Sequence, residues 1–198
     1  MSPRAQASGR VWAGLAGGLA AGSLLAWWLP AAWLDWQPAL AASQPWRAFS
    51  AAWVHWSERH LVANLIGTVV VAALGLVARL PTRAALAWAA AWPLTQLGLL
   101  MQPALAHFGG LSGVLHAGVA VAALWLVCRR RGLQRLIGAG IGAGLLMKVL
   151  LEEPWGTPLR DVAGWDIATA PLAHASGVAA GVICAALALV LEAGQSRR

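Results

Sequence analysis

The sequence predicts an all-α membrane protein, a bundle of six transmembrane helices forming one domain over residues 1–198 with both termini in the cytoplasm. Of its 198 residues, 60% are hydrophobic and only 11% are charged, whereas soluble proteins carry about 25% charged residues. One helical span uses about 20 apolar residues, so six spans occupy most of the chain. The composition excludes a soluble globular protein, a disordered chain and a disulfide-stabilised scaffold.

Six apolar segments supply the predicted spans. Arginines precede the first segment, as in a signal peptide, but its apolar run is too long for one, so we interpret it as a retained anchor. The loop 34–59 is rich in tryptophan and is expected to lie in the membrane interface, where tryptophan is enriched. The six segments are residues 11–33, 60–77, 84–101, 112–128, 133–151 and 172–191.

The basic residues predict the orientation of the bundle. Ten arginines fall on one side of the predicted spans and four basic residues on the other, and the excess marks the cytoplasmic side. Residues 1–10 and 192–198 are therefore expected in the cytoplasm. The net charge of +7 reflects this topology and not nucleic-acid binding, which needs basic residues on a soluble face. The ten are Arg4, Arg10, Arg79, Arg83, Arg129, Arg130, Arg131, Arg135, Arg197 and Arg198.

Three of the segments carry polar residues in their first turns, at one shared depth. The second, fourth and sixth segments all run from the outer side to the cytoplasm, so these residues lie about one to two turns below the outer surface. Polar groups inside a membrane are unfavourable and therefore indicate function. They are His60 and Asn64, Ser112 and His116, and His174 and Ser176.

The shared depth favours a serine nucleophile with a histidine base. Ser112 follows glycines at the start of a helix, and His174 comes from another helix, on whose face Gly177 and Gly181 allow a neighbour to approach closely. Because no carboxylate lies within a span near this depth, we expect a Ser–His dyad and not a triad. His116 is expected to pack beneath Ser112.

The same reasoning assigns the groups that stabilise an oxyanion. The side chains of His60 and Asn64 would donate hydrogen bonds to the developing negative charge. The backbone N–H of Ser112, at the positive end of its helix, would add a third donor. This chemistry needs neither a metal ion nor a cofactor.

These residues stand in motifs that resemble those of the rhomboid intramembrane serine proteases. The resemblance covers all six segments, implies the rhomboid-like fold, and assigns supporting parts to the glycines of the motifs. The family's motifs are G-x-S-G, A-H-x-x-G-x-x-x-G, H-x-x-x-N and a Trp-Arg pair in the first outer loop. They match Gly110-Leu-Ser112-Gly113, Ala173-His174-Ala-Ser-Gly177-Val-Ala-Ala-Gly181, His60-Leu-Val-Ala-Asn64 and Trp46-Arg47.

One position departs from most rhomboids. They carry a tyrosine four residues after the serine, whereas this chain has His116 there and no tyrosine at all. In this respect residues 109–116 are similar to the rhombosortase branch, which is compact and bacterial. That resemblance implies substrates with a C-terminal Gly-Gly motif, an apolar helix and a basic tail. It also implies the bacterial inner membrane, with the active site open to the periplasmic side.

Other functions remain open at this point. A general rhomboid protease would cleave other membrane-anchored proteins, and in either case the partners are a substrate's transmembrane segment and the lipid bilayer. A proton-coupled transporter would use the histidines as a relay, which requires polar groups at several depths. A non-catalytic rhomboid-like protein would typically lack the serine or the histidine.

Two further features carry weaker expectations. His55 and His107 lie in outer loops and are interpreted as interfacial residues, with His55 helping to hold the first loop. The run from Gly138 to Gly144 contains two pairs of glycines four residues apart, which predicts close helix packing.

Overall fold

The computed structural model describes residues 9–195, and within this range six long helices and one single-turn helix account for most of the chain. Its described part contains no β-strand, only isolated bridges between Trp36 and Phe108 and between Arg160 and Thr169. Short 3-10 turns join some of the helices. The helices are α1 (Arg10–Ala26), α2 (Arg47–Ser50), α3 (Glu58–Val77), α4 (Thr82–Leu97), α5 (Ser112–Arg129), α6 (Gly132–Leu151) and α7 (Pro171–Gln195).

Five of these helices are long and apolar enough to cross a membrane. They are α3, α4 with its 3-10 extension to Met101, α5, α6 and α7. The predicted first span was too long, because α1 has 17 residues and ends at Ala26 and not at Trp33. Pro30 follows four residues later, and a proline disfavours the helical conformation in the residue before it. Arg4, Arg197 and Arg198 lie outside the described residues.

Helix α5 is the centre of the bundle. It packs against α3, α4, α6 and α7, and most of its residues are buried. Helix α1 is fastened to the same core by Trp12, which is fully buried and packs against Trp88 with ring centroids 4.5 Å apart and planes tilted by 33°. The Trp12 indole N–H donates to the backbone oxygen of Val71 at 2.8 Å. The start of α5, where Ser112 lies, therefore rests on a closely packed core.

The loop 34–59 is folded onto the protein. Trp36 and Asp35 are fully buried, and Arg47 forms an ion pair with Asp35 at 2.9 Å between Nη1 and Oδ1. Trp46 and Trp56 are exposed. An interfacial position alone, as predicted for this loop, does not account for Trp36, because its side chain packs in the protein.

Helix α6 is the most exposed of the long helices. Its glycine run packs on one side only. A Cβ at Gly138 would lie 2.5 Å from Leu126 Cβ, and one at Gly142 would lie 3.8 Å from Ala123 Cβ, whereas Gly140 and Gly144 meet no described atom within 4 Å. Thus one of the two predicted glycine pairs faces α5, and the other faces away from the bundle.

Candidate active site

A cavity of about 1210 Å³ opens between α3, α5, α6 and the start of α7, beneath the segment that joins α6 to α7. Most of its wall is apolar, and the polar side chains gather at one end. This end holds most of the residues predicted from their shared depth. Those that line the cavity are His60, Asn64, Ser112, His116 and His174.

Ser112 and His174 meet across two helices. Ser112 is the first residue of α5, and His174 lies in the first turn of α7. The Ser112 Oγ atom is 2.9 Å from His174 Nε2, within the range of a hydroxyl hydrogen bond. The two groups that the sequence assigned as nucleophile and base are therefore within proton-transfer distance.

The other ring nitrogen of His174 contacts a carboxylate. His174 Nδ1 is 2.7 Å from Glu152 Oε2, and Glu152 is the residue that follows the last turn of α6. The expectation of a dyad rested on the absence of carboxylates within the spans, and this carboxylate reaches His174 from just beyond the last residue of α6. Glu152 lies just outside the predicted segment 133–151, but the turn at the end of α6 directs its side chain back to His174. The i,i+4 spacing of Lys148 and Glu152 is typical of an ion pair between these two residues, but no pattern in the sequence indicated the contact with His174.

Glu152 is ionised at neutral pH. Burial raises the pKa of its carboxyl group, but the hydrogen bond and charge of His174 and those of Lys148 outweigh burial and lower the pKa to about 2. Lys148 Nζ is 2.5 Å from Glu152 Oε1. Because an ionised carboxylate only accepts hydrogen bonds, His174 Nδ1 must donate to it. In the neutral imidazole, Nε2 is then free to accept the Ser112 hydroxyl proton.

His116 lies beside the ring of His174 and does not contact the Ser112 hydroxyl group. Its ring stacks on that of His174, with centroids 4.1 Å apart and planes 12° apart. His116 Nδ1 is 2.7 Å from the backbone oxygen of Ser112, and since a carbonyl only accepts, Nδ1 carries the hydrogen. The ring is thus held by its own helix and forms a flat support for His174.

His60 and Asn64, both from α3, line the same cavity as Ser112 and His174. The backbone N–H of Trp56 donates to His60 Nδ1 at 3.4 Å, which leaves the hydrogen of a neutral ring on Nε2. Asn64 Nδ2 donates to the His60 backbone oxygen at 3.1 Å. Gly110 has a φ of +149°, which residues with a side chain rarely adopt, and a Cβ there would lie 3.0 Å from His60 Nε2.

Glycines bring α5 and α7 into contact. A Cβ at Gly177 would lie only 2.0 Å from the backbone oxygen of Gly113, and one at Gly181 only 2.4 Å from that of Ala117. A Cβ at Gly113 would lie 2.7 Å from the Ala173 oxygen. Larger side chains at these positions would push the two helices apart, and with them Ser112 and His174.

The two loop histidines have structural partners. His107 Nδ1 is 2.6 Å from Asp35 Oδ2, next to the ion pair of the first loop. His55 is buried, and its Nδ1 contacts the Trp53 backbone oxygen at 3.1 Å. Its ring centroid is 4.8 Å from that of His60. His55 therefore packs inside the protein and not at its interface with lipid.

The arrangement fits acyl transfer. It contains a serine, a histidine within reach of the serine hydroxyl, a carboxylate on that histidine, and the hydrogen-bond donors of His60 and Asn64 in the same cavity. The family model described as Rhomboid domain matches residues 42–191, a range that includes every cavity residue named above. A comparison with curated proteins finds no match.

Proposed function

The chain belongs to the rhomboid family of intramembrane serine proteases, and we propose that it is a serine endopeptidase in which Ser112 is the nucleophile and His174 the base. The observation that carries this proposal is the 2.9 Å distance between Ser112 Oγ and His174 Nε2 at the polar end of the cavity. A multi-pass membrane protein of this family acts on other membrane proteins, so the substrate is a membrane-anchored polypeptide.

In the proposed reaction, His174 Nε2 takes the Ser112 proton as Oγ attacks the scissile carbonyl. The oxyanion is stabilised by His60 Nε2–H, by the Asn64 amide and by the Ser112 backbone N–H. The imidazolium then protonates the leaving amine, and an acyl-enzyme remains on Ser112. Water or an amine resolves it, which gives hydrolysis or transfer to a new acceptor.

The substrate helix enters the site from the side, between α3 and α6. Support comes from the cavity walls, which Gly67 and Val70 of α3 and Leu145 of α6 form deep below the polar end. The substrate must unwind near Ser112, because a helical backbone keeps its carbonyls in internal hydrogen bonds. Glycines at the cleavage position would favour that unwinding, because glycine is a poor helix former.

The orientation proposed for the bundle has six spans and puts Ser112 near the periplasmic side of the bacterial inner membrane. Ser112 and Arg129 are the first and last residues of α5, which separates them by about 25 Å along the helix. Arg129 and the neighbouring arginines mark the cytoplasmic side. Helix α1, with its 17 residues, would be the sixth and shortest span.

The proposed specificity is that of a rhombosortase, which removes a C-terminal anchor that follows a Gly-Gly motif. Support comes from His116, which stacks on His174 where most rhomboids carry a tyrosine. Two reporter substrates would test it, identical except that one has Leu-Leu in place of Gly-Gly. Preferential cleavage of the Gly-Gly reporter is expected. Equal cleavage would indicate a general rhomboid protease.

The catalytic assignment is tested by three alanine variants expressed with the Gly-Gly reporter. Ser112→Ala and His174→Ala should abolish cleavage. Ser176→Ala is the matched control, because Ser176 is also near the start of α7 but donates to the Thr95 backbone oxygen at 2.8 Å. It should cleave like the wild type. Full activity of Ser112→Ala would reject the proposed function.

A further inference from the structure

The imidazole of His174 is held between two oxygens. Ser112 Oγ lies 2.9 Å from Nε2, and Glu152 Oε2 lies 2.7 Å from Nδ1 on the other edge of the ring. His174 is mostly buried, with 12% of its side chain exposed, and Glu152 is 29% exposed. Both contacts are therefore made largely out of water, where hydrogen bonds to charged groups are strong.

We infer that Glu152 is a positioning residue for His174, so that a Ser112–His174–Glu152 triad carries the reaction in place of a dyad. The inference rests on the proposed function, because it assigns a role within that reaction. It extends the site to a third helix, since Ser112 belongs to α5, His174 to α7, and Glu152 to the end of α6.

The first effect of Glu152 is on the tautomer of His174. A carboxylate has no hydrogen to give, so the neutral ring must carry its hydrogen on Nδ1 and leave the Nε2 lone pair toward Ser112. An amide at position 152 could donate to Nδ1 instead, which favours the tautomer that cannot accept the serine proton. In a serine protease with this arrangement, the wrong tautomer lowers kcat by about 10⁴-fold.

The second effect is on the charge that develops during the reaction. As the bond from Ser112 Oγ to the carbonyl carbon forms, the hydroxyl proton moves to Nε2 and the ring becomes an imidazolium. Glu152 stays ionised and stabilises that cation through the Nδ1–H hydrogen bond. When the C–N bond breaks, Nε2 returns the proton to the leaving amine, so Glu152 ends each cycle unchanged.

The neighbours of His174 leave this role to Glu152. The ring of His116 stacks on that of His174, and its Nδ1 is committed to the Ser112 backbone oxygen. Lys148 contacts the other oxygen of Glu152 and so holds the carboxylate from the side away from His174. The two carboxylate oxygens of Glu152 therefore contact different residues: Oε1 contacts Lys148 and Oε2 contacts His174.

The test compares variants of Glu152 with a matched control in purified protein reconstituted into liposomes. Glu152→Gln should have the wild-type KM for the Gly-Gly reporter and the wild-type unfolding temperature, but its kcat should be lower by about 100-fold or more. Glu152→Asp should recover part of that loss, because it restores a carboxylate. Glu153→Gln is the control, since Glu153 is exposed and contacts Arg160 at 3.4 Å, and it should behave like the wild type.

A fourth variant separates this role from the ion pair with Lys148. Lys148→Met removes the ion pair but leaves the Glu152–His174 contact in place. Because half-exposed ion pairs contribute little, this variant should lose less than about 10-fold in kcat. A loss equal to that of Glu152→Gln would mean that Glu152 acts through Lys148, and it would overturn the inference.

Two results separate the inference from the proposed function. If Ser112→Ala is inactive and Glu152→Gln retains the wild-type kcat, the triad is rejected and the protease assignment stands. If Ser112→Ala retains cleavage, the proposed function itself fails. A loss of activity in Glu152→Gln that follows a lower unfolding temperature and a raised KM would reject a positioning role in favour of a structural one.

Discussion

Gly177→Ala is expected to inactivate the protein by separating its two key helices. A Cβ at this position would lie 2.0 Å from the backbone oxygen of Gly113, whereas real Cβ atoms do not approach below 3.0 Å. The obstacle is backbone on both sides, so a side-chain rotation cannot relieve it. Helix α7 must therefore move away from α5 by about 1 Å or more.

That displacement acts directly on the site, because Gly177 is one turn below His174. Adding about 1 Å to the 2.9 Å between Ser112 Oγ and His174 Nε2 takes the pair out of hydrogen-bond range. A misplacement of this size costs about 100-fold in activity. Overpacking also lowers the free energy of unfolding by about 1–3 kcal/mol.

The assay measures reporter cleavage and thermal unfolding of the variant in the same detergent. Gly194→Ala is the control, since it makes the same change on α7 where a Cβ meets no described atom within 4 Å. It should match the wild type in both measurements. Wild-type cleavage and unfolding by Gly177→Ala would refute the close approach of α5 and α7.

Three further predictions follow from other parts of the molecule. His116→Tyr should retain measurable cleavage, because a flat ring can still stack on His174. His116→Ala should cleave the reporter more slowly. Equal activity of the two variants would contradict a role of the residue-116 ring in supporting His174. Asp35→Asn should lower the free energy of unfolding by about 3–5 kcal/mol, because it leaves the buried Arg47 without its counter-charge. Thermal unfolding measures this change, with the exposed Glu58→Gln as the control. An unchanged unfolding midpoint in Asp35→Asn would contradict the contribution of the ion pair. Burial lowers the pKa of His55 from 6.5 to about 4, so between these pH values the unfolded chain binds a proton that the folded chain does not, and stability decreases as pH falls through this window. The loss of stability between pH 7 and pH 5 should therefore be smaller in His55→Gln than in the wild type. An equal loss of stability in the variant and the wild type would contradict this assignment to His55.

The sequence predicted the spans well where apolar runs end at charges or prolines. The segments 133–151 and 172–191 agree with α6 and α7 to within a few residues. The first span was wrong at its C-terminal end, because residues 27–33 are as apolar as the helix before them. Hydropathy does not distinguish a helix from apolar turns, and only Pro30 marks the change.

The candidate site was predicted from depth, and the structure brings every residue of that set except Ser176 to one cavity. Glu152 was missed because only residues within the predicted segments were considered. The side chain of a residue just beyond the end of a helix can still turn back toward the membrane-spanning part, as that of Glu152 does when it contacts His174. Likewise, the sequence cannot show that the Gly138 and Gly142 pair faces α5 while Gly140 and Gly144 do not. Such facts depend on the rotation of a helix about its axis, which tertiary packing decides.

The central claim is that Ser112 is a nucleophile activated by His174, and labelling with a fluorophosphonate tests it most directly. Such a probe reacts with a serine only where a base activates its hydroxyl. Peptide mass spectrometry of the labelled protein should find the phosphonate on Ser112, with labelling lost in His174→Ala and kept in Ser176→Ala. Labelling of a different serine, or of Ser112 at the same rate without His174, would contradict the account.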